Sequence, residues 1–279
     1  MRAQLASIPA KPGQENEDFA AVTTNAAVVI DGAGTPAGST SGCRHGVAWY
    51  SRMLGSALTH QLADQHQPIS TCLAAAISNV TRLHRDTCDL DHPGTPSATV
   101  TAIREQGGTF EYIVLADSPL VLDLATGPMV ICDDREARIG ARYRSAMDAA
   151  PNGTAAHTTA LREYVETMRN HRNRVGGFWV ASTDPTAAEH AVTGSLAISD
   201  VRAAALLSDG ASRPVDRFQL IDWQTLLQLI DRHGPEHLLR LVREAETSDP
   251  DGKRWPRGKA TDDATAVYSE PSLPGNASS

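Results

Sequence analysis

The chain has 279 residues, of which 41% are hydrophobic and 21% charged, and its formal net charge is -8 at pH 7. General nucleic-acid binding needs clustered Lys and Arg to displace phosphate counterions, so this acidic balance argues against it. No apolar stretch reaches membrane-spanning length, and Met1 to Gln14 lack the apolar core of a signal peptide. We therefore expect a cytoplasmic protein with no membrane partner. The sequence leaves the oligomeric state open.

Four cysteines are spread widely along the chain, at Cys43, Cys72, Cys88 and Cys132. They form no CxxC pair, and no histidine pair stands at a zinc-like spacing from them. We therefore expect free thiols in a reducing compartment. Cys72 lies on the apolar face of a predicted helix, where a small buried hydrophobic side chain is the better interpretation.

The first predicted strand is a short apolar stretch that runs into Asp31-Gly32. A glycine at this point lets a backbone carbonyl approach whatever the carboxylate holds. The Gly-, Ser- and Thr-rich residues 33–42 are expected to form a surface loop beside Asp31. Two helices are then predicted, over about 45–65 and 69–83, because apolar residues of the second recur at spacings of three and four. Each helix has one face to bury, and a sheet is its natural partner.

Alternation of period two begins at Ser97 and predicts two strands joined by a hairpin turn at Gly107-Gly108. The second of these strands, residues 110–115, leads to Asp117, which places another carboxylate at a strand edge. A third short strand is predicted over 120–124. We expect the three strands to form an antiparallel meander.

Residues 133–176 differ from the rest of the chain because they concentrate arginine in an otherwise acidic protein. A helix is predicted within this segment, near Thr159 to Arg169. The basic residues form either a solvated helical face or a functional surface, and the sequence does not separate the two. The arginines are Arg135, Arg138, Arg142, Arg144, Arg162, Arg169, Arg172 and Arg174.

The C-terminal third contains two predicted strands, two predicted helices and a tail. The strands are residues 177–181 and 203–208, and the helices are residues 223–232 and 236–246. The Pro- and Ser-rich residues 269–279 are expected to be a disordered tail. Because neither a repeat nor a linker interrupts the chain, residues 1–268 are expected to form one domain.

Four carboxylates stand at predicted strand edges, namely Asp18, Asp31, Asp209 and Asp262. If they converge, two of these charges about 4 Å apart cost on the order of 4 kcal/mol at an effective dielectric constant of about 20. They cannot all stay ionised without cations, and a set of oxygen ligands favours Mg²⁺ or Mn²⁺ over zinc. Two such ions that share a carboxylate can activate a water toward a phosphoryl group.

Five short motifs stand in the order and approximate spacing of a known family. They are Asn16-Glu17-Asp18, Val29-Ile30-Asp31-Gly32, Ala116-Asp117-Ser118, Leu207-Ser208-Asp209-Gly210 and Thr261-Asp262-Asp263-Ala264-Thr265. Over nearly the whole chain they resemble the motifs of the metal-dependent serine/threonine protein phosphatases of type 2C, bacterial type. The resemblance implies an α+β fold, a four-layer αββα sandwich of two antiparallel sheets flanked by helices.

The resemblance also implies roles for the carboxylates. Asp31 is similar to the residue that bridges two Mn²⁺ or Mg²⁺ ions, with the carbonyl of Gly32 on one of them. Asp209 and Asp262 resemble the remaining direct ligands of the other ion. Catalysis is therefore expected to depend most on Asp31 and Asp209.

Three further acidic residues acquire roles by the same resemblance. Glu17 and Asp18 are similar to ligands that act directly or through water. Asp117 resembles the aspartate that, together with Asp209, can hold a third and weaker metal ion. Residues 133–176 fall where the family has its variable flap beside the active site.

The chain departs from the family where the substrate phosphate would bind. Gly13 stands where many members have an arginine that grips the phosphate, and Pro119 stands where an arginine is common. The candidate replacements are Lys11, Arg44, His45 and the arginines of the flap. Arg44 and His45 lie at a predicted helix N-terminus, which is a ready anion site, although ordinary surface positions are the better interpretation.

The sequence therefore predicts a Mg²⁺- or Mn²⁺-dependent phosphomonoester hydrolase that uses direct attack by a metal-activated water. A phosphoserine or phosphothreonine in a protein is the leading substrate, and a small phosphorylated metabolite is the alternative. A metal-binding pseudophosphatase that acts as a regulatory binding module is the alternative from another class. The missing arginine favours that module, whereas the complete set of ligands does not.

Overall fold

Two five-stranded antiparallel sheets form the centre of the computed structural model, which describes residues 1–36 and 39–272. The first sheet has the spatial order β1 (Arg2–Ile8), β10 (Ala264–Glu270), β9 (Val201–Leu207), β6 (Leu120–Leu124) and β7 (Gly127–Ile131). The second has the order β2 (Phe19–Val22), β3 (Ala26–Ala33), β4 (Ser97–Gln106), β5 (Thr109–Leu115) and β8 (Val192–Ala197).

Helices cover the outer face of each sheet. The pair α1 (Val47–Gln61) and α2 (Ile69–His84) packs on the second sheet, and the pair α7 (Trp223–His233) and α8 (Pro235–Ser248) packs on the first. A third apolar cluster lies between the sheets and contains residues of both. The prediction of an α+β fold with αββα layers is therefore confirmed.

Strand β3 shows how the sequence produces these layers. Val28 and Ile30 belong to the cluster under the helices, whereas Ala27 and Val29 belong to the cluster between the sheets. Successive side chains of a strand point to opposite faces, so a fully apolar strand covered on both sides reads as a continuous hydrophobic run. This explains why β3 lacks a polar alternation.

The predicted helices are confirmed, with shifted ends. The stripe on α2 is buried, as the spacing of three and four predicts, and α1 ends at Gln61 rather than near Gln65. Helices α7 and α8 match the two predicted near the C-terminus. Within the described residues, no helix is both long and apolar enough to cross a membrane.

The predicted meander is wrong in its third strand. Strands β4 and β5 pair through the Gly107-Gly108 turn as predicted, but β6 pairs with β7 and β9 in the other sheet. The chain leaves β5 through Ala116, which has a φ of 69°, and its new direction places Leu120 and Leu122 between the two sheets. The strand pattern does not reveal which sheet a strand joins.

A second correction concerns residues 177–181, which were predicted to be a strand. They form only isolated bridges, of Phe178 with Arg172 and of Ala181 with Ala98. Phe178 and Trp179 are buried by packing instead of by sheet pairing. The strand that does pair with β5 is β8, and its mostly exposed or half-buried residues give no hydrophobic signal.

The arginine-rich segment folds into three helices, α3 (Arg135–Gly140), α4 (Ser145–Ala149) and α5 (Ala155–Arg169). The predicted helix lies within α5, which begins earlier because the side chain of Thr154 accepts a hydrogen bond from the backbone N–H of His157.

The C-terminal boundary also needs correction. Ser269 and Glu270 were assigned to a disordered tail, but they belong to β10, where they pair with Ala3 and Arg2 of β1. Residues 271–272 follow the strand, and the remaining predicted tail, residues 273–279, lies outside the described residues.

Candidate active site

The predicted ligands come from the ends of strands in both sheets. Asp31 lies near the end of β3, and Asp18 immediately precedes β2. Asp209 is the first residue of α6 (Asp209–Asp216), directly after β9, and Asp262 lies two residues before β10. The backbone N–H of Asp209 donates a hydrogen bond of 3.0 Å to Oδ2 of Asp31, which joins the two sheets at this edge. The predicted convergence of these strand ends is therefore present.

Charge repulsion is visible in the pKa values of this group. Burial, followed by the carboxylates of Asp209, Asp18 and Asp262, raises the pKa of Asp31 well above its usual range. Desolvation and the Asp262 carboxylate raise the pKa of Asp209. Each carboxylate opposes the ionisation of the next, so added positive charge would favour the ionised forms.

Asp18 is the carboxylate that most clearly lacks a partner for one of its oxygens. Burial raises its pKa to about 8, although the hydroxyls of Thr265 and Ser208 act in the opposite direction. Its Oδ2 is buried and has no hydrogen-bond partner among the described residues. A buried oxygen without a partner is costly, and a cation would satisfy it.

Two glycines permit the close approach of these segments. A Cβ atom on Gly32 would lie 2.5 Å from the carbonyl oxygen of Glu17 and 2.6 Å from Oγ of Ser51. A Cβ atom on Gly210 would overlap the carbonyl oxygen of Asp263. Glycine is therefore required after both Asp31 and Asp209, which gives the Asp-Gly pairs a steric reason.

Asp263 holds the first motif in place. Its Oδ1 accepts a hydrogen bond of 2.7 Å from the backbone N–H of Ala10, and its Oδ2 accepts one of 2.9 Å from that of Glu17. Burial raises the pKa of Glu17, against the effect of nearby Lys259. Asp263 thus positions the segment that contains Glu17 and Asp18, a role that the sequence did not indicate.

Sequence reasoning also missed two cations at the centre. Nζ of Lys259 lies 2.7 Å from Oδ1 of Asp262, and Nη2 of Arg213 lies 2.8 Å from Oδ2 of the same residue. Arg213 also pairs with the buried Glu246. Both oxygens of Asp262 are therefore engaged, which makes it the least available of the predicted ligands. A metal ion at Asp262 would share its oxygens with these two cations or displace one of them.

Asp117 belongs to a neighbouring acidic group. Burial, followed by the carboxylates of Glu136 and Asp209, raises its pKa to about 8. Glu136 comes from α3 of the flap and accepts a hydrogen bond of 3.1 Å from the hydroxyl of Tyr164 on α5. The flap therefore contributes an acidic residue beside Asp117. No motif could identify Glu136, because it belongs to the variable segment.

The structure does not group the predicted phosphate-binding residues with one another. Lys11 is exposed in a turn, and Arg44 is exposed with no side-chain hydrogen bond or ion pair to the described residues. Helix α1 begins at Val47, so Arg44 and His45 precede its N-terminus. The ring of His45 stacks on Trp49 at a centroid distance of 4.4 Å and contacts two cysteines, and its role in an anion site stays a prediction.

Most flap arginines already have partners. Arg135, Arg138 and Arg144 pair with aspartates of the same segment. Arg169 donates to Thr35 Oγ1 at 2.9 Å, and Arg172 donates to Ser97 Oγ at 3.0 Å, so these two fasten the flap to neighbouring loops. Arg142, Arg162 and Arg174 have no such pairs within the described part of the chain.

Comparison with known proteins agrees with this arrangement. The family model described as protein phosphatase 2C matches residues 10–238, which is most of the chain. The chain belongs to the protein phosphatase 2C family. As a member, it is a metal-dependent protein phosphatase. No curated protein matches the sequence.

Solved structures of bacterial members of this family share the fold. The serine/threonine phosphatase PstP/Ppp of Mycobacterium tuberculosis is 18% identical, with 96% of this chain and 97% of that one covered and a TM-score of 0.59. A PstP catalytic domain in complex with two manganese ions gives 18% identity, the same coverages and a TM-score of 0.54. The phosphatase MsPP of Mycobacterium smegmatis gives 16% identity, coverages of 96% and 97%, and a TM-score of 0.53. At these identities the likeness shows the fold alone.

Proposed function

We propose that this type 2C phosphatase removes phosphate from phosphoserine or phosphothreonine in proteins, with two Mn²⁺ or Mg²⁺ ions at the carboxylate centre. The main support is the meeting of Asp18, Asp31 and Asp209 with raised pKa values and one buried oxygen that lacks a partner. An all-oxygen donor set with excess negative charge suits hard divalent cations. The manganese ions in the PstP complex agree with this choice.

The proposal assigns the ligands as follows. Asp31 and the carbonyl of Gly32 would hold the ions together with Asp209. Asp18 and Glu17 would act directly or through water. When bound, such ions supply an acidified water and neutralise charge on a phosphoryl group. Asp262 would join them while sharing its oxygens with Lys259 and Arg213, or after one of these pairs is broken.

The chain's own residues prepare the centre in three ways. The N–H of Asp209 fixes Oδ2 of Asp31, so the orientation of that carboxylate is set before any ion arrives. Asp263 fixes the backbone of Glu17. Lys259 supplies a positive charge that lowers the repulsion among Asp262, Asp209 and Asp31. Such fixed geometry lowers the cost of reorganisation during a reaction.

Asp117 would take part in a third and weaker cation site with Asp209. Its raised pKa and the nearby Glu136 support this proposal, since two acidic side chains at one position favour a cation. Glu136 ties this position to the flap, so flap movement would alter it. The single-domain organisation over residues 1–268, extended here to Glu270, and a cytoplasmic location remain part of the proposal.

Two alternatives remain distinct from the leading proposal. A phosphatase of a small metabolite would use the same centre, and it would prefer small esters to phosphopeptides. A pseudophosphatase would bind Mn²⁺ without turnover. The absence of an arginine at position 13 is the observation that favours the latter.

The decisive experiment measures hydrolysis of p-nitrophenyl phosphate and of phosphoserine and phosphothreonine peptides, with and without Mn²⁺ or Mg²⁺. We expect metal-dependent turnover that is faster with phosphopeptides and is lost in Asp209→Asn. Asp251→Asn is a matched control, because Asp251 is exposed and pairs only with the exposed Lys253. Manganese binding by calorimetry without any turnover would favour the pseudophosphatase and contradict the proposal.

A further inference from the structure

Four potential metal ligands meet at a second place in the fold, away from the carboxylates. Cys43 and His45 lie in the loop before α1, His84 is the last residue of α2, and Cys88 follows four residues later. One ligand atom from each residue lies within 4.8 Å of all the others. The cluster is therefore defined as Cys43, His45, His84 and Cys88.

Four of the six separations within the cluster match the edges of a zinc tetrahedron, and the other two are within 4.8 Å. Cys43 Sγ lies 3.4 Å from Cys88 Sγ, 3.8 Å from His45 Nδ1 and 3.7 Å from His84 Nδ1, and Cys88 Sγ lies 3.3 Å from His45 Nδ1. Zn–S bonds of about 2.3 Å and Zn–N bonds of about 2.0 Å place tetrahedral ligand atoms roughly 3.3 to 3.8 Å apart. These four separations lie within this range.

His84 is the most deeply buried member of the cluster. Its side chain has no exposure to solvent, and its Nε2 has no hydrogen-bond partner in the described chain. Its Nδ1 faces only the sulfur of Cys43, and a thiol is a weak hydrogen-bonding group. A bound metal would give Nδ1 a strong partner, whereas Nε2 points away from the cluster and is not satisfied by it.

The surrounding chain brings the two loops together. The backbone N–H of Asp89 donates a hydrogen bond of 2.9 Å to the carbonyl of Gly42. Gly42 has a φ of 68°, and a Cβ atom there would overlap His92, so glycine is required beside Cys43. Trp49 stacks on His45 and lies against His84, which covers one side of the cluster with an aromatic ring.

We propose that Cys43, His45, His84 and Cys88 bind one structural Zn²⁺ ion. Two thiolates and two imidazoles form a complete set of four protein ligands, which is typical of a structural zinc site and leaves no position open for a substrate. These softer donors also separate the site from the carboxylates, which favour Mg²⁺ or Mn²⁺. The proposal does not depend on the phosphatase reaction.

The position of the cluster indicates a structural role for the zinc. It would tie the loop that follows Asp31 to the end of α2. The flap is held by the loop that follows Asp31 and by the segment that leads from α2 into β4, because Arg169 donates to Thr35 and Arg172 donates to Ser97 and to the carbonyl of Pro93. Loss of the metal would therefore loosen the surface on which the flap docks.

The test measures zinc by elemental analysis in the full chain, purified without added metal and desalted into metal-free buffer. We expect one zinc per chain in the wild type, its loss in Cys43→Ser and Cys88→Ser, and its retention in Cys132→Ser. Cys132 is the control because it is free and exposed and does not belong to the cluster. Circular dichroism establishes whether each variant is folded.

A second measurement on the wild type avoids any dependence on folding of the variants. Titration with a mercurial reagent should release zinc to a colorimetric chelator as the cluster thiols react. Co²⁺ supplied to the metal-free chain should give thiolate charge-transfer and tetrahedral absorption bands. The proposal would be overturned by a wild type that holds no zinc and takes up neither Zn²⁺ nor Co²⁺. It would also be overturned if Cys43 and Cys88 are found as a disulfide.

Discussion

The carboxylate centre and the Cys/His cluster are two candidate metal sites at opposite ends of one loop, which runs from Asp31 to His45. The first consists of oxygen donors that repel one another and that keep Oδ2 of Asp18 without a partner. The second consists of two thiols and two imidazoles, whose neutral forms can approach without strong repulsion. The same chain thus offers a hard site and a softer site.

The comparison separates two uses of a metal. A site of mutually repelling carboxylates binds its ions at the cost of apo stability, and it keeps positions free for water and substrate. A closed set of four N and S ligands leaves no such position, and its binding energy contributes to folding. We therefore assign hydrolysis to the first site and the anchoring of the loop to the second.

The largest expected effect comes from Asp31→Asn. Loss of this charge should lower kcat for phosphopeptide hydrolysis by about a thousandfold or more, equivalent to about 4 kcal/mol, because Asp31 would hold both ions. Zinc at the Cys/His cluster should be unchanged. Steady-state kinetics and elemental analysis on the same sample check both points. Turnover near that of the wild type would refute the two-metal assignment.

The second largest effect is expected on the stability of the metal-free protein, through the ionisation of Asp18. Burial raises the pKa of Asp18 to about 8 in the folded chain, well above the usual range of an aspartate. Folding therefore favours the protonated form of Asp18. The stability that this preference contributes is present at pH 4 and is lost as the pH rises through 8.

Asp18→Asn removes this titration. The metal-free variant should melt at least about 5 °C higher than the wild type at pH 8, whereas the two should melt together at pH 4. Thermal denaturation in the presence of a chelator measures both temperatures. A variant that is less stable than the wild type at pH 8 would show that the Asp18 charge is satisfied by the protein itself.

Asp117→Ala should have a smaller effect on turnover. If Asp117 holds only a third and weaker ion, kcat should fall about tenfold to a hundredfold, or roughly 1.4 to 2.7 kcal/mol, and the tightest manganese sites should persist in calorimetry. Loss of all manganese binding would make Asp117 a primary ligand. An unchanged kcat would make its role structural.

The smallest effect is expected from Gly13→Arg. Gly13 has a φ of 79°, and a Cβ atom there would have no neighbour within 4 Å, so an arginine fits in space but at a strain of about 1 kcal/mol. If the side chain reaches the phosphate, the KM for p-nitrophenyl phosphate should improve about tenfold, or 1.4 kcal/mol. Gly13→Ala has the same backbone strain without the guanidinium and is the control. Equal KM values in both variants would place Gly13 outside the site.

The sequence predicted those features that depend on local pattern. An apolar stripe identified α2, start and stop signals identified α7 and α8, and alternation identified β4 and β5. It did not predict the sheet that β6 joins or the pairing of β8, since both depend on contacts between distant residues. Residues 177–181 were misread because aromatic residues bury their side chains there without sheet pairing.

The residues of the two candidate metal sites also differ in how far the sequence predicts them. Asp18, Asp31 and Asp209 were predictable because each lies in a recognisable motif at a strand end. Lys259 and Glu136 were not, because a lysine near an aspartate and a glutamate in a variable segment have no distinctive pattern. The Cys/His cluster was missed because its members come from two loops that only the packing of α1 on α2 brings together.

We expect the two sites to hold different metals for different purposes, and metal content measured together with activity separates them. Zinc content and phosphopeptide hydrolysis are determined on wild-type protein before and after desalting into metal-free buffer, and again after Mn²⁺ is restored. We predict that hydrolysis disappears on desalting and returns with Mn²⁺, while one zinc per chain remains throughout. Zinc that leaves together with the activity, or zinc alone that restores full activity, would contradict the account.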